Sequence, residues 1–488
     1  MKTLNKTRFL SLGKILLLPF VLLSCQQKPL ATTQWVSPKA YSKQTQQLQD
    51  NQHPYLKTIS PYHEFNQIIR HVHSSNFELK ISILNTELSQ IEAQVESKQK
   101  YPNLNLSLDS QKQWQRQSNT GKSSLNSQLL NLNSSWEIDL WKKLDRKSRS
   151  ANINTLIKKE AFNQLLESIL FQCLKEYLTF YTSKSEYAYL DKKIEIEKNI
   201  LKILKNDFND ARSTFKIYQK QKNKLLSLEQ LKTQKETSQA NSKLNILHTL
   251  GGKWDNKEVL NSEVEISAWL NSLKPIDIGV PAHLIENRPD IKAASSEIKI
   301  FVLDWENKSR SLYPNLTIKA SLNTQDNLWN NIFNPNNILS IITGQLTQPL
   351  FNRHRLKAQK KVSAINLKQS IIQYSNKFSN AILEVESHLM NQQNLRSNLK
   401  QLNLQISNSK DTLSNLREGY QQGLNPLIEI LGQELENIQL LEKKLLLSQS
   451  IILEHYSLLK SLGSRWQLLS KTKNSSHSIQ NSAEVIKP

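Results

Sequence analysis

The chain has 488 residues, enough for two to four ordinary domains, yet only 38% of them are hydrophobic. A mean hydropathy of −0.53 is too polar for one large spherical core, so an extended fold with much wetted surface fits better. The net charge is +22, but Lys is interleaved evenly with Asn, Gln and Ser, with no zinc-finger spacing, RNP-like motif or Arg stripe; this reads as a solvated surface, and nucleic acid is set aside as a partner.

Enzyme readings fail for similar reasons. The histidines are scattered, no HExxH or His–Cys cluster occurs, and ten glycines in all leave no Gly-rich phosphate loop. No catalytic, metal or cofactor site is expected. The His71–Val72–His73 stretch reads as a solvated pair. Cys173, inside the helical run FQCLKEYL, reads as a small core residue.

The N-terminus reads MKTLNKTRFLSLGKILLLPFVLLSC. Lys2, Lys6, Arg8 and Lys14 make a basic segment, and Ile15 to Leu23 a short apolar one. That pattern is a targeting signal, too short to span a bilayer. Its end, Leu22-Leu23-Ser24-Cys25, resembles the bacterial lipobox. The resemblance implies that Cys25 is acylated and becomes the mature N-terminus, and Gln26 implies sorting to the outer membrane. No later stretch reaches 18 apolar residues, so any membrane crossing must be made by strands.

The tetrapeptide YPNL occurs twice, with Tyr101 and Tyr313 standing 212 positions apart. Leu250-Gly251 and Leu462-Gly463 share that offset, and Asn76-Phe77-Glu78-Leu79 faces Arg288-Pro289-Asp290-Ile291. Leu140-Trp141 faces Leu350-Phe351 at an offset of 210. The chain is therefore one unit written twice, a tandem duplication rather than a solenoid. Within each unit, Tyr-Pro stops a helix, because the residue before proline is biased away from the α region. A period-two pattern then begins, with Leu104, Leu106 and Leu108 in one unit and Leu316, Ile318, Ala320 and Leu322 in the other. Second alternating runs cover 130–140 and about 339–350. Each run is about 10 residues, the length of a membrane-spanning strand. Polar linkers at 113–126 and 324–337 read as hairpin loops.

Long helical patterns follow. From Leu356 to Glu418 there is neither Pro nor Gly, and apolar residues fall at coiled-coil-like steps of three, four or seven. The return pattern 427–462 and the lead-in pattern 289–312, stacked end to end, nearly match that length. A long helix beside a broken, pseudo-continuous partner is expected, repeated in the first half by 142–208, 217–250 and 76–100. Gly423-Leu424-Asn425-Pro426 reads as a helix-turn-helix tip: a Gly terminator, Asn425 as N-cap and Pro426 at the first helical position. The corresponding first tip is Ala211-Arg212-Ser213, its glycine lost.

Cys25, the two YPNL motifs, SWEIDLWKK (135–143), PAHLIENRPDI (281–291), QPLFNRHRLKA (348–358) and EGYQQGLNPLIEIL (418–431) together resemble the TolC-like outer membrane factor family, in its efflux lipoprotein branch. The resemblance covers about Gln67 to Gly463. It implies an α+β membrane protein: a homotrimeric α-barrel of long coiled-coil helices joined to a 12-stranded β-barrel, four strands per chain. Its function would be a passive exit duct for small molecules, working with a periplasmic adaptor and an inner-membrane pump. Tyr101, Pro102, Tyr313 and Pro314 would be helix–strand joints at the periplasmic membrane face. The tips would meet the adaptor, and acids just beyond them would ring an aperture. Glu429 holds one such position, with Gly432 at the next and Ile217 and Lys220 in the first half; Asp207 and Asp210 are substitutes. The expected segments are a signal peptide (1–24), a lipid-anchored equatorial segment (25–65), the first repeat (66–252), an equatorial linker (253–285), the second repeat (286–464) and a disordered tail (465–488). A protein-secretion duct or a lipid-anchored coiled-coil scaffold are the competing readings.

Overall fold

The computed structural model describes residues 61–117, 121–252, 260, 263–273 and 282–463. In order these form α1 (His63–Ser75), α2 (Phe77–Lys98), β1 (Asn103–Gln117), β2 (Gly121–Ile138), α3 (Lys143–Asn209), α4 (Phe215–Thr249) and α5 (Ile266–Ser272). After a 3-10 turn, α6 (Pro289–Arg310), β3 (Asn315–Asp326), β4 (Ile338–Thr347), α7 (Arg353–Gln421) and α8 (Leu427–Ser461) repeat the order. Lead-in helix, hairpin, long helix and return helix thus occur twice.

The 67-residue α3 is about 100 Å long at ~1.5 Å per residue. It packs against both α2 and α4, as α7 packs against both α6 and α8. The two short helices of each repeat meet end to end. Asn76 caps α2 by accepting from the Leu79 amide at 3.0 Å, and its Nδ2 donates to the carbonyl of Thr249, the last residue of α4, at 2.9 Å. In the second repeat Arg288 precedes α6, and its Nη1 donates to the carbonyl of Ser461, the last residue of α8, at 3.0 Å. Gly251 and Gly463 close both junctions with φ of +72°. A Cβ at Gly251 would stand 2.7 Å from the Ser75 carbonyl oxygen, and one at Gly463 2.9 Å from the Arg288 nitrogen. Arg288, Ser461 and Gly463 each lie 212 positions after Asn76, Thr249 and Gly251.

The main core is equatorial. Phe65, Ile68 and Val72 of α1 pack with Cys173, Tyr177, Leu178 and Tyr181 of α3, Ile246 of α4, Trp269 of α5 and Ile452 of α8. The Tyr177 and Tyr181 hydroxyls both donate to Glu64 Oε2, at 2.9 and 2.8 Å. Burial, then the neighbouring Tyr181 and Glu64, drive the Tyr177 hydroxyl pKa upward. Cys173 is fully buried, and burial pushes its thiol up to about 12, so it is an inert packing group.

Below this core the helices are polar and their seams are laddered. Glu186, Asp191 and Glu197 of α3 pair with Lys235, Lys232 and Lys224 of α4 at 2.7, 2.5 and 2.5 Å. Lys193 pairs with Glu442 of α8, which ties the two repeats together. Gln221 also donates to Glu197, and 212 positions on, Gln433 donates to Ser409 at 3.0 Å. The same rung survives in both repeats with different chemistry.

The four strands form one antiparallel sheet in the order β1-β2-β3-β4. The expected loop at 113–126 is corrected: β1 and β2 stay paired from Asn103↔Ser135 to Gln117↔Gly121. Polar residues there break the side-chain alternation, but the ladder is held by backbone hydrogen bonds, which need none. The second tip also differs from expectation. Pro426 occupies the N-cap position and α8 starts at Leu427. Asn425 instead turns back, its Nδ2 donating to the Leu416 carbonyl at 3.4 Å.

Both tips close by the same turn. Gly423 (φ +77°) donates to Tyr420 O at 2.9 Å while Leu424 donates to Gly419 O at 2.8 Å. Ala211 (φ +61°) donates to Phe208 O at 3.1 Å while Arg212 donates to Asp207 O at 2.7 Å. That is the Schellman pair of bonds at each helix end. The first tip holds it with an alanine in the left-handed region, a strained choice. Ala211→Gly should therefore raise thermal stability by about 0.5–1 kcal/mol. Gly251→Ala or Gly463→Ala should lower it by roughly 1–3 kcal/mol, since conformation and space both refuse a Cβ. Circular dichroism melts of the purified protein check both.

His455 of α8 is buried, with Gln392 Nε2 at 3.4 Å from its Nδ1, and burial, helped by the charge of Arg396, lowers its pKa from 6.5 to about 4. The unfolded chain then takes up this proton first. The associated stability is complete above about pH 6.5 and is lost as pH falls toward 4. Denaturation midpoints should drop across that window, and His455→Gln should flatten the drop.

Candidate functional site: sheet faces, joints and helix tips

The cross-strand register sorts the sheet's side chains into rows. Even-numbered rows are apolar: Leu106–Leu132–Leu322 and Leu108–Leu130–Thr324–Ile338 lie in adjacent rows, with Trp136–Ile318 and Ile138–Leu316–Leu346 lower down. Five such rows, two residues or about 7 Å apart, give ~27 Å along the strands, the height of an apolar membrane band once strand tilt is included. Odd-numbered rows are amide- and hydroxyl-rich over most of β1 to β3, as in Asn103–Ser135–Lys319–Thr343, while β4 adds Ile341 to Asn105–Asn133–Ser321 and Leu339 to Asn131–Asn323. Such a mostly polar face suits water, and Asp109, Glu137 and Lys319 add charges of both signs to it. β1 and β4 are both free edges of this sheet.

The joints tie helices to strands by the same contacts twice. Tyr101 donates its amide to Lys98 O at 3.0 Å, and Tyr313 to Arg310 O at 3.1 Å. The cations of those two residues lie over the tyrosine rings, each 5.5 Å from the centroid. Trp136 Nε1 donates to Lys100 O at 2.9 Å, and 212 positions later Gln348 Nε2 donates to Leu312 O at 3.1 Å. Pro102 and Pro314 follow the tyrosines into the strands. Trp141 then crosses between repeats: it stacks on Tyr313 with centroids 4.9 Å apart and donates to Pro314 O at 2.8 Å. Arg146–Glu306 at 2.5 Å adds an ion pair between the repeats, and a 2.6 Å bond from Lys100 holds the Asp145 carboxyl below the usual range. The clamping roles of Trp136, Gln348 and Trp141 were not read from the sequence; the 212-residue offset applied to Trp136 would have found its partner Gln348.

At the tips, Gly423, Leu424 and Pro426 are exposed, and Leu424 leads with 73% of its surface free. Glu429 sits exposed in the first turn of α8, and among the described residues it has no ion pair. Asp207 and Asp210 differ: Arg212 holds both, at 3.3 and 2.6 Å. Ser213 leads into α4. The first tip also carries an aromatic trio missed in the sequence, Phe208, Phe215 and Tyr218, with centroids 5.8 to 6.4 Å apart. Cys25 lies outside the described residues, and no helix among them is long and apolar enough to cross a membrane.

Comparison with known proteins fits this geometry. The family model for "Outer membrane efflux protein" matches residues 68–252 and 280–464, one copy on each repeat. The cation efflux system protein CusC of Escherichia coli O6:H1 is 22% identical over 409 residues, 80% of this chain and 84% of the relative. The pyoverdine export outer membrane protein OpmQ of Pseudomonas putida is 22% identical over 449 residues, 90% of this chain and 93% of the relative. A crystal structure of CusC superposes with a TM-score of 0.74 at 17% identity, covering 83% of this chain and 94% of that one. With both repeats matched, the chain belongs to the outer membrane efflux protein family and is an efflux channel protein of the outer membrane.

Proposed function

We propose that three copies of this chain close into one duct that carries small molecules out through the outer membrane, docked at its tips to a periplasmic adaptor and supplied by an inner-membrane pump. The observation that carries this is the sheet: four strands, one apolar face, and two open edges, β1 and β4. A free edge in hydrocarbon leaves backbone N–H and C=O groups unpaired at several kcal/mol each, so β4 of one copy must meet β1 of the next. Two copies would give eight strands, whose interior side chains fill; three give twelve and an open lumen. The polar odd-numbered rows line that lumen.

The helices support the same closure. α3 is packed on both sides, by its own repeat and by α6 and α8, whereas Ile81, Leu84, Leu88 and Ile91 on α2 and Val362, Ile365 and Ile372 on α7 are left exposed by the described residues of the chain. Phe351, the counterpart of Trp141, is 97% exposed, and Tyr101, the counterpart of Tyr313, is 65% exposed. In a ring of alternating repeats Phe351 packs on Tyr101 of the next copy, as Trp141 packs on Tyr313 within one chain.

At the tips, Leu424, Leu427, Phe208 and Phe215 offer the adaptor apolar contact, with the Gly423-Leu424-Asn425-Pro426 and Ala211-Arg212-Ser213 turns as the docking loops. Glu429 is the acid available to ring the aperture, because Arg212 neutralises Asp207 and Asp210. Acylated Cys25 anchors the N-terminus in the same membrane. Cargo choice rests with the pump.

Two measurements test this. Purified protein should conduct in a planar bilayer and run as a heat-resistant trimer; a non-conducting monomer that Cys25→Ala releases from membranes would overturn the duct in favour of a scaffold. In addition, Tyr101→Cys combined with Phe351→Cys should form disulfide-linked trimers under mild oxidant, while either single substitution should not.

A further inference from the structure

Each chain packs its two repeats together along one seam. Toward the tips that seam joins α3 to α8, and it is apolar. Ile200 of α3 is buried with Leu431 and Leu435 of α8, and Ile196, Ile203, Leu204 and Ile428 pack against them. Beside them Lys193 pairs with Glu442. In the duct reading, on which this inference rests, the two repeats alternate around the ring. The α3–α8 seam inside one chain therefore recurs between copies, from α7 of one to α4 of the next. The 212-residue offset names its members.

The counterparts are polar. Ile196, Ile200 and Ile203 become Asn408, Thr412 and Asn415, while Ile428, Leu431 and Leu435 become Lys216, Gln219 and Asn223. Of the seven apolar positions only Leu204 keeps its character, as Leu416. Asn408, Thr412, Asn415, Lys216 and Asn223 are all exposed within the chain. The Lys193–Glu442 ion pair becomes Gln405 and Gln230, two amides able to bond each other. Nearer the membrane the contrast disappears. There the α3–α6 packing recurs between copies as α7 against α2, and Val362, Ile365 and Ile372 can meet Ile81, Leu84 and Leu88, all apolar and exposed. Copies are thus joined by apolar contact near the membrane and by polar contact at the tips.

Opposite charge draws the polar seam together. Residues 197–224, the first tip and its flanks, carry eight cations and three acids, a net of +5. Residues 409–436, at the same offset, carry two cations and five acids, a net of −3. Lys216 and Lys220 on α4 and Asp411 and Glu418 on α7 are exposed, and among the described residues none of the four has an ion pair. Attraction between exposed groups of this kind is weak and is readily exchanged for water. Parting the α3–α8 seam would instead put seven aliphatic side chains into water.

We propose that the tip-proximal faces of α7 and α4 form a hydrated, charge-complementary seam between copies. The aperture widens by the parting of these seams, one per pair of neighbours, while the two tips of each chain move as one block.

The test places cysteine pairs in the full-length protein at counterpart positions: Ile200→Cys with Leu431→Cys inside the chain, and Thr412→Cys with Gln219→Cys between copies. A short, reducible bis-thiosulfonate reagent bridges each pair while the trimer conducts in a planar bilayer. Bridging between copies should cut conductance several-fold, and a reductant should restore it. Bridging inside the chain should leave conductance unchanged. Failure of the 412/219 pair to give covalent trimers, a bridged ring that conducts as before, or an equal loss from the in-chain bridge would each overturn the proposal. Hydrogen exchange of the unmodified trimer gives a second reading that no substitution can disturb. Amides of 405–416 and 216–230 should exchange several-fold faster than those of 193–204 and 428–442, and equal protection would also overturn the proposal. A protein that never conducts, before any bridge is made, strikes at the duct reading itself.

Discussion

The backbone of a four-stranded sheet with one apolar face cannot sit in hydrocarbon with its edges bare. Nearly everything else in this chain answers that constraint. β1 and β4 are left unpaired by the chain itself, so the unit is incomplete alone, and the helices must leave matching faces uncovered for the same neighbour. The joints then have to hold strands and helices in a fixed phase, or edges that meet in the sheet would not meet in the helical region below. This explains the density of contacts at Trp136, Trp141, Arg146 and Gln348, where each joint carbonyl is bonded by the strand that returns to it.

The helical region solves a different problem. Helices that line a wet passage and face a wet exterior cannot rely on a wide apolar stripe. Register must come partly from polar rungs, and the α3–α4 seam shows how: Glu186 and Glu197 are buried, and each has a lysine from the opposite helix. Such pairs add little net energy compared with apolar packing, but mispairing would leave a buried charge alone, which costs several kcal/mol. Sliding α4 by one turn along α3 would break all three rungs at once. The α7–α8 seam mixes its rungs: Gln433–Ser409 is neutral, His388–Glu454 sets a ring nitrogen against a carboxylate, and Arg417–Glu434 is an ion pair at 2.6 Å near the second tip.

The duplication, the helix lengths and the strand starts were legible because each rests on a local rule. Tyr-Pro ends a helix, Leu-Gly permits a left-handed turn, and Leu104 to Leu108 alternate with period two. The upper ribbon was not legible, since its strands are held by backbone pairing while Gln, Ser and Asn dilute the alternation. Asn425 was misplaced because an Asn-Pro pair signals an N-cap in isolation, whereas here the amide has a better partner in the carbonyl of Leu416. The ion-pair ladder was invisible for another reason: pairs such as Asp191–Lys232 are 41 positions apart and depend on the phase of two antiparallel helices, which no local pattern reports. Of the aperture candidates, Asp207 and Asp210 looked free in the sequence, yet Arg212, two positions past Asp210, claims both.

Divergence between the repeats follows the same logic of where geometry is dictated and where it is not. At the equator, Asn76 and Arg288 are chemically unlike, yet both donate to the last carbonyl of their return helix, because that end must be satisfied and the glycine beside it leaves one approach. At the joints, Trp136 and Gln348 are unlike, yet both donate to the same carbonyl position. At the tips the backbone turn is kept even where glycine became alanine, while the exposed side chains have separated into an aromatic trio on one tip and Leu424 with Leu427 on the other. A duplicated chain that must meet copies of itself retains equivalent bonds wherever the ring alternates its repeats. It is freer to differ where a ring member faces something that is not another repeat, as at the surface of the tips and at the far ends of the two hairpins.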